Sequence, residues 1–186
     1  MNRLACSALF VACLSASLGA QATQATQATQ AVPPAAPTFG ASGGIGAGIA
    51  IPIGRLADTH SAGYTIAGLV DFSAAEQPYS FRAELIYQRY DHKTTGIGAS
   101  VKDMNILSAG ASLLARKANR ASSTFLLGGI AVYRLTDGGT KPGFDAGFGI
   151  EVPLTFFVGM ADVRMHFVLS ESKPTMTIPI TLGARF

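Results

Sequence analysis

The sequence predicts an all-β protein, an eight-stranded antiparallel up-and-down β-barrel that crosses a membrane. Eight segments alternate apolar residues with small or polar ones, which is the period of a strand with two different faces. Charged residues make up only 13% of the chain, whereas a soluble domain usually has about 25%. Beyond the N-terminus, no apolar run approaches the roughly 18 residues of a membrane-spanning helix. Since every backbone group in lipid must be paired internally, a closed barrel is the membrane fold that remains.

The N-terminus carries the pattern of an export signal. A positive end at residues 1–3 precedes an apolar run over residues 4–18, and a small-x-small cleavage site ends at Ala22. The run is too short to span a membrane. We therefore expect residues 1–22 to be a signal peptide.

Both cysteines, Cys6 and Cys13, lie within this signal. The mature chain would then have no disulfide, no cysteine nucleophile and no cysteine-ligated metal. A lipid anchor at Cys13 is disfavoured because Phe10 is a poor residue three positions before a lipidated cysteine.

A repetitive tract separates the signal from the folded part of the chain. Residues 21–30 read QATQATQATQ and are followed by a stretch rich in Pro and Ala. Such a tract buries too little apolar surface to offset the entropy of ordering. Residues 23–38 are therefore expected to be a flexible Gln/Ala/Thr/Pro-rich leader, and residues 39–186 the barrel domain.

The alternation places eight strands in the barrel domain. They are predicted at residues 39–53, 63–72, 79–90, 105–116, 124–134, 144–154, 156–168 and 175–186. In the first strand, Ile45 and Ile49 share one face, and glycine or other small residues share the opposite face. The faces of the fifth strand stay open, because both are apolar around Gly128 and Gly129.

The connections between strands alternate in predicted length. Longer links are expected at residues 55–61, 91–103, 135–143 and 169–174, and shorter ones at residues 73–78, 117–122 and 153–155. Membrane barrels place short turns on the periplasmic side and longer loops outside. With an even number of strands, this alternation predicts both chain ends on the periplasmic side.

A soluble lipocalin-like barrel would show the same alternation of residues along its strands. Such a barrel needs charged residues spread over the whole of its outer surface. Here the apolar face of nearly every strand carries no charge, and the opposite face mixes Gly and Ser with a few ions. This distribution favours the membrane barrel.

The last strand has the strictest alternation. Its even positions from Met176 to Phe186 are apolar, and its odd positions are polar or small except for Pro179, which lacks a ladder donor. A strand that ends in this way resembles the closing strand of bacterial outer-membrane barrels. The resemblance implies that Ile180, Leu182 and Phe186 form the signal for the barrel assembly machinery.

Other short motifs fall at positions typical of the same family. They are the Gly-alternating first strand, the Pro52-x-Gly54 loop, the Gly63-Tyr64 pair, the inward-facing Arg164 and His166, and the terminal TLGARF. Residues 39–186 thus resemble the small eight-stranded outer-membrane barrel domains of the OmpA/OmpX-like group. The resemblance implies a monomer in outer-membrane lipid. The chain departs from the pattern in having no Trp, so Phe and Tyr alone would form the aromatic girdles.

Polar residues on the inward faces are the candidates for a site. They are Asp71, Arg82, Glu84, Asp145, Glu151, Asp162, Arg164, His166 and Arg185. An eight-stranded barrel is only just wide enough for its own side chains, and buried ions are costly unless they pair. We therefore expect a structural lumen network of ion pairs, with no catalytic residue, no cofactor and no metal site.

The sequence favours a non-catalytic barrel with a structural or surface-interaction role. A lipid-modifying enzyme or small-ligand binder acting at the barrel rim is the alternative. His166 and Ser170 share a strand face, but residues four apart lie roughly 13 Å from each other along a strand, beyond the reach of a nucleophile and its base. The loops mix charges of both signs, so no basic patch indicates nucleic acid. The residues identify no extracellular partner.

Deleting Phe186 is expected to lower the outer-membrane level of the protein severely, because the deletion removes the aromatic end of the apolar face. Thr177→Ser is the matched control, since Thr177 lies on the opposite face and keeps its hydroxyl. Immunoblots of membrane fractions measure both variants. Equal levels for the deletion and the unaltered chain would contradict the assignment of an assembly signal.

Overall fold

The computed structural model of the chain describes residues 39–74, 77–93, 103–118, 121–136, 139–170 and 174–186. The predicted signal peptide and leader lie outside this part of the chain. The strands are β1 (Phe39–Ile53), β2 (Gly63–Ala74), β3 (Tyr79–Tyr90), β4 (Met104–Ala118), β5 (Ser123–Leu135), β6 (Gly139–Pro153), β7 (Val158–Val168) and β8 (Thr175–Arg185). Each strand pairs antiparallel with its neighbours in sequence, and β8 pairs with β1 to close the barrel. The predicted eight-stranded up-and-down barrel is confirmed.

One short helix, α1 (Arg55–Thr59), follows β1. Gly54 precedes it with a φ of 61°, a left-handed conformation that glycine adopts without strain. A single turn is too short to show a helical period, so the sequence pattern does not predict it. Among the described residues, no helix is long and apolar enough to cross a bilayer.

The strands separate two kinds of side chain. The large exposed side chains on the outer face are apolar and include Ile45, Ile66, Phe81, Leu85, Leu113, Leu126, Ile130, Phe148 and Leu182. The buried side chains on the inner face include many polar ones, among them Thr65, Asp71, Arg82, Gln88, Ser112, Asp145, Glu151, Asp162, Arg164, His166 and Thr177. This polarity is the inverse of a water-soluble domain and matches a barrel whose outer face meets lipid.

Burial also assigns the faces of β5, which the sequence leaves open. Phe125, Leu127 and Tyr133 are buried inside the barrel, whereas Leu126 and Ile130 are exposed outside. Both faces are apolar because apolar side chains fill the interior at this level of the barrel. Leu127 and Phe125 belong to a buried apolar cluster. The centroid of the Phe125 ring lies 5.4 Å from the guanidinium carbon of Arg82.

The barrel has two rims. At the terminal rim lie Phe39, Phe186 and the strand ends that the chain joins through residues 75–78, 119–122 and 154–157. At the loop rim lie the strand ends that it joins through residues 54–62, 91–103, 136–138 and 169–174. Three of the four loop-rim connections are longer than any turn at the terminal rim, in line with the predicted alternation.

The long link predicted at residues 135–143 is wrong. β5 and β6 stay paired as far as Leu135 opposite Gly139, so the connection is a short hairpin. Beyond the apolar belt the outward residues are polar, as Arg134 and Thr140 are, and the hydrophobic alternation therefore ends before the pairing does. The predicted start of the seventh strand is also two residues early, because residues 154–157 form a turn before Val158.

Pro179 affects only one side of the closing strand. It is buried on the inner face and lies opposite Ala50 in the pairing of β8 with β1. The pairing of β8 with β7 is interrupted between Ile180 and Thr177, because proline has no N–H to donate. The missing N–H of Pro179 therefore interrupts the ladder with β7 and leaves the ladder with β1 intact.

Glycine lets β1 approach the closing strand. Gly48 lies opposite Thr181 of β8, and a Cβ at Gly48 would overlap the carbonyl oxygen of Ile180. Gly43, on the outward face of the same strand, has open space where a Cβ would stand. The barrel seam therefore requires glycine at residue 48 and not at residue 43.

Gly48→Ala is expected to destabilise the barrel by about 1–3 kcal/mol, because the seam must move to admit the methyl group. Gly43→Ala is the matched control on the same strand and should be nearly neutral. Urea unfolding in lipid vesicles measures both variants. The same unfolding midpoint for the two would show that the seam is not tight.

Candidate functional site

Alternation along each strand builds the inner face of the barrel. From the terminal rim to the loop rim, the inward residues of β3 are Ser80, Arg82, Glu84, Ile86, Gln88 and Tyr90. This one strand contributes ionic groups near the terminal rim and in the middle of the barrel. Near the loop rim it contributes the apolar ring of Tyr90. The interior is therefore layered along the barrel axis.

The first layer, the terminal cluster, consists of Asp71, Arg82, Arg116, Glu151 and Arg185. Arg82 donates from Nε to Asp71 Oδ1 at 2.6 Å and from Nη2 to Oδ2 at 2.9 Å, which is a bidentate pair. Arg116 Nη2 donates to the same Oδ2 at 2.7 Å, and Arg185 Nε lies 3.6 Å from it. One buried carboxylate thus holds three guanidinium groups.

Glu151 is the second carboxylate of the terminal cluster. Arg116 donates through Nε and Nη2 to its two oxygens, both at 3.1 Å. Arg185 Nη2 donates at 3.2 Å, and the Ser123 hydroxyl donates at 3.2 Å. Arg116 and Arg185 therefore bridge the two carboxylates of the cluster.

The second layer, the Arg164 cluster, crosses the lumen. Arg164 of β7 donates to Asp162 on its own strand at 2.9 Å and pairs with Glu84 of β3. The Ser112 hydroxyl donates to Glu84 at 3.4 Å. Since β3 and β7 stand on opposite sides of the eight-stranded ring, this ion pair ties the two walls together.

Three buried polar residues follow toward the loop rim. Asp145 and His166 are cross-strand neighbours on β6 and β7, and the Tyr133 ring packs edge-on against His166 at 5.7 Å. The Tyr133 hydroxyl, Asp145 Oδ2 and both His166 nitrogens have no hydrogen-bond partner among the described residues.

An apolar cluster closes the interior below the loop rim. Its buried members are Ala50, Leu56, Tyr90, Ile106, Tyr133 and Val168. The Tyr90 hydroxyl donates to Gln88 at 2.8 Å, and the Thr177 hydroxyl donates to the same amide oxygen at 3.3 Å. Leu56 comes from α1, so the first connection contributes to this closure.

Pairing makes the buried charges tolerable. The inner faces carry the guanidinium groups of Arg82, Arg116, Arg164 and Arg185 and the carboxylates of Asp71, Glu84, Asp145, Glu151 and Asp162. Moving an ion out of water costs several kcal/mol, which Coulomb attraction offsets only at close contact. Each of these guanidinium groups contacts a carboxylate. Of the five carboxylates, Asp145 is the one without an ion-pair partner in the described part of the chain.

All nine polar residues predicted for the inward faces lie on the inner face. They are Asp71, Arg82, Glu84, Asp145, Glu151, Asp162, Arg164, His166 and Arg185. The structure brings Arg82 within 3.9 Å of Glu151 and joins two carboxylates through Arg164. It does not join Asp145 or His166 to these ion pairs. Ser170 lies exposed beyond the end of β7.

Arg116 is missing from the predicted network although it contacts both carboxylates of the terminal cluster. A signal for it exists in the sequence. The inward residues of β4 include Ser108 and Ser112. Continuing the same alternation, the next inward residues are Leu114 and then Arg116. The alternation is hidden because Leu114 puts an apolar residue on the polar face.

The residues of the predicted assembly signal lie on the outer face at the end of the closing strand. Ile180, Leu182 and Phe186 are all exposed. The Phe186 N–H donates to the Gly43 carbonyl at 2.8 Å, and its ring lies 6.1 Å from that of Phe157. The last residue is thus held in place beside the seam.

A separate polar group lies at the loop rim. His60 and His92 form an antiparallel bridge between the first two loop-rim connections, and the Thr59 hydroxyl lies 2.8 Å from His60 Nδ1. Asp103 accepts from the His92 N–H at 3.3 Å and from Arg89 Nη2 at 2.7 Å. These two donors lower the pKa of Asp103, the backbone N–H first and the guanidinium second.

A closed barrel with an apolar outer belt and a packed polar interior defines a class of protein. It is the class of small eight-stranded outer-membrane β-barrels, whose interior is just wide enough for side chains.

Comparison with solved structures agrees with this class. Neisserial surface protein A is 16% identical, with a TM-score of 0.59 over 80% of this chain and 97% of that one. Ail of Yersinia pestis in a phospholipid nanodisc is 15% identical, with a TM-score of 0.48 over 79% and 100% of the two chains. The N-terminal barrel of Pseudomonas aeruginosa OprF is 13% identical, with a TM-score of 0.47 over 78% and 97%. Neither a protein-family model nor a curated protein sequence matches the chain. The shared fold rests on the first of these similarities.

Arg164→Ala is expected to destabilise the barrel by about 3–5 kcal/mol, because it leaves Glu84 and Asp162 buried without their cation. Arg134→Ala is the matched control. Arg134 is exposed on the outer face and has no ion-pair partner among the described residues, so its loss should change the free energy of unfolding by no more than about 0.5 kcal/mol. Urea unfolding in lipid vesicles provides the comparison, and equal losses would refute the role of the Arg164 cluster.

Proposed function

We propose that the chain is an exported, monomeric outer-membrane protein with a structural or surface-interaction role and no catalytic activity. Residues 1–22 serve as the signal peptide, residues 23–38 as a periplasmic leader, and residues 39–186 as the barrel in outer-membrane lipid. The barrel assembly machinery reads the closing strand through Ile180, Leu182 and Phe186. Nucleic acid is not a partner.

One observation carries this proposal: the inside of the barrel is occupied by its own side chains. The Arg164 cluster pairs charges from opposite walls, and the terminal cluster joins charged side chains of β2, β3, β4, β6 and β8. The apolar cluster with Leu56 follows toward the loop rim. An interior filled in this way favours a rigid barrel that presents its loop rim to its surroundings. It does not favour a barrel with an open channel.

Conductance tests the absence of a channel. Purified protein inserted into a planar bilayer is expected to give no large steady current. Arg164→Ala should stay silent as well, because the terminal cluster and the apolar cluster remain on either side of it. A large steady conductance from the unaltered protein would overturn the packed lumen.

Location and folding are tested on native membranes. The protein should fractionate with the outer membrane and run differently on a detergent gel before and after boiling, since closed barrels resist unfolding by detergent. Recovery in the soluble periplasm with the same mobility in both lanes would sink the proposal.

The orientation of the barrel in the membrane is inferred from the lengths of the connections. Single cysteines test it, because the barrel has no cysteine of its own. Asp58→Cys places a thiol on α1 at the loop rim, and Ser122→Cys places one at the terminal rim. An impermeant maleimide on intact cells should label the first variant and not the second. The opposite result would put the loop rim in the periplasm.

A rim enzyme or small-ligand binder is the second candidate, and one feature favours it. A cavity of about 480 Å³ at the loop rim is lined by Arg55, Asp58, Thr59, His60, Ser170 and other residues, and it includes the hydroxyl–imidazole contact of Thr59 with His60. Incubation with phospholipid or lipopolysaccharide followed by mass spectrometry should show no conversion. Conversion that Thr59→Val abolishes would establish the enzyme instead.

A further inference from the structure

Two histidines at the loop rim form a pair that the proposed role does not use. His60 and His92 face each other across an isolated antiparallel bridge. Their ring centroids lie 5.7 Å apart, and the ring planes meet at 79°. The two rings come from different connections, and their bridge lies just beyond the loop-rim end of the β2–β3 ladder.

Backbone hydrogen bonds fix the pair from both sides. The Ser61 N–H donates to the Asp91 carbonyl, and the Lys93 N–H donates to the Thr59 carbonyl, both at 2.9 Å. The two segments are therefore held in register before any ligand binds. Preorganisation of this kind reduces the entropy lost when a ligand is bound.

Each ring keeps one shielded nitrogen without a partner. The Nδ1 atom of His60 is occupied by the Thr59 hydroxyl. His60 Nε2 and His92 Nδ1 are buried and have no hydrogen-bond partner among the described residues. Leaving buried polar atoms unsatisfied costs free energy, and one ion bound by both nitrogens would remove that cost.

The spacing of the rings suits a shared metal ion. Imidazole nitrogens are common ligands of Zn²⁺, Cu²⁺ and Ni²⁺. A zinc ion about 2.0–2.1 Å from each nitrogen, at a roughly tetrahedral angle, places the two ring centroids about 5–6 Å apart. We propose that His60 Nε2 and His92 Nδ1 bind one divalent transition-metal ion between the first two loop-rim connections.

The site would have two protein ligands. No group of three or more His, Cys, Asp or Glu side chains in the described ranges could hold a metal, so water completes the coordination shell. Such a site differs from a closed structural zinc site with four protein ligands. Its binding is reversible, and its selectivity follows the general order in which Cu²⁺ binds more tightly than Zn²⁺.

Asp103 supports the site without being a ligand. Its carboxylate accepts from the His92 N–H at 3.3 Å and is held by Arg89 at 2.7 Å. The contact with the His92 backbone fixes the segment that carries one of the two ligands. A bound ion would then tie the connection at residues 54–62 to the start of the connection at residues 91–103.

Calorimetric titration tests the site on protein purified from membranes in detergent. Zn²⁺ is expected to bind saturably with one ion per chain, and Cu²⁺ more tightly. His60→Ala and His92→Ala should each abolish the saturable phase. Arg134→Ala, which changes an exposed residue of the outer face away from the two rings, should leave it unchanged. Mg²⁺ should not bind, because it prefers oxygen ligands.

Stability gives a second readout that separates binding from folding. Zn²⁺ should raise the urea midpoint of the unaltered protein and leave the midpoints of His60→Ala and His92→Ala where they are. Both variants should keep their heat-modifiable mobility, which shows that they fold. Failure of Zn²⁺ and Cu²⁺ to bind heat-modifiable protein would overturn the proposal. So would undiminished binding by the two variants.

Discussion

The packing of charge inside a narrow barrel is the constraint on which the rest of the structure depends. Eight strands enclose a space that side chains alone can fill, and a charge in that space is costly unless it has a partner. Asp71 meets three arginines, and Arg164 reaches from one wall to Glu84 on the other. These contacts allow a polar interior to exist behind an outer face that carries Leu, Ile and Phe.

The residues that form the inner face of a strand determine which residues form its outer face. A strand that places Arg82 and Glu84 inside necessarily places Phe81 and Leu85 outside, because successive side chains point to opposite faces. Closure then depends on close approach at the seam, where Gly48 admits the closing strand. The alternation of faces does not constrain the rims. At the loop rim, α1 covers the apolar end of the lumen, and the bridge of His60 with His92 joins two connections.

The sequence predicts the architecture well because alternation reports a single physical difference, lipid on one side and packed side chains on the other. The prediction fails where the two faces of a strand no longer differ in polarity. The faces of β5 cannot be read because Phe125 is as apolar as Leu126, although only the second is exposed. The pairing of Leu135 with Gly139 escapes notice because the strands there stand beyond the apolar belt. The predicted network lacks Arg116, and neither α1 nor the histidine bridge has a periodic signal.

The most direct test of the account is the facing of adjacent residues in β5. The chain has no Trp, so single Trp variants in brominated lipid report contact with acyl chains without a background. Leu126→Trp should be strongly quenched, because its side chain faces lipid. Phe125→Trp should be quenched little, because its side chain packs inside beneath Arg82. Equal quenching at the two positions, or stronger quenching at residue 125, would contradict the separation of a packed polar interior from a lipid-facing surface.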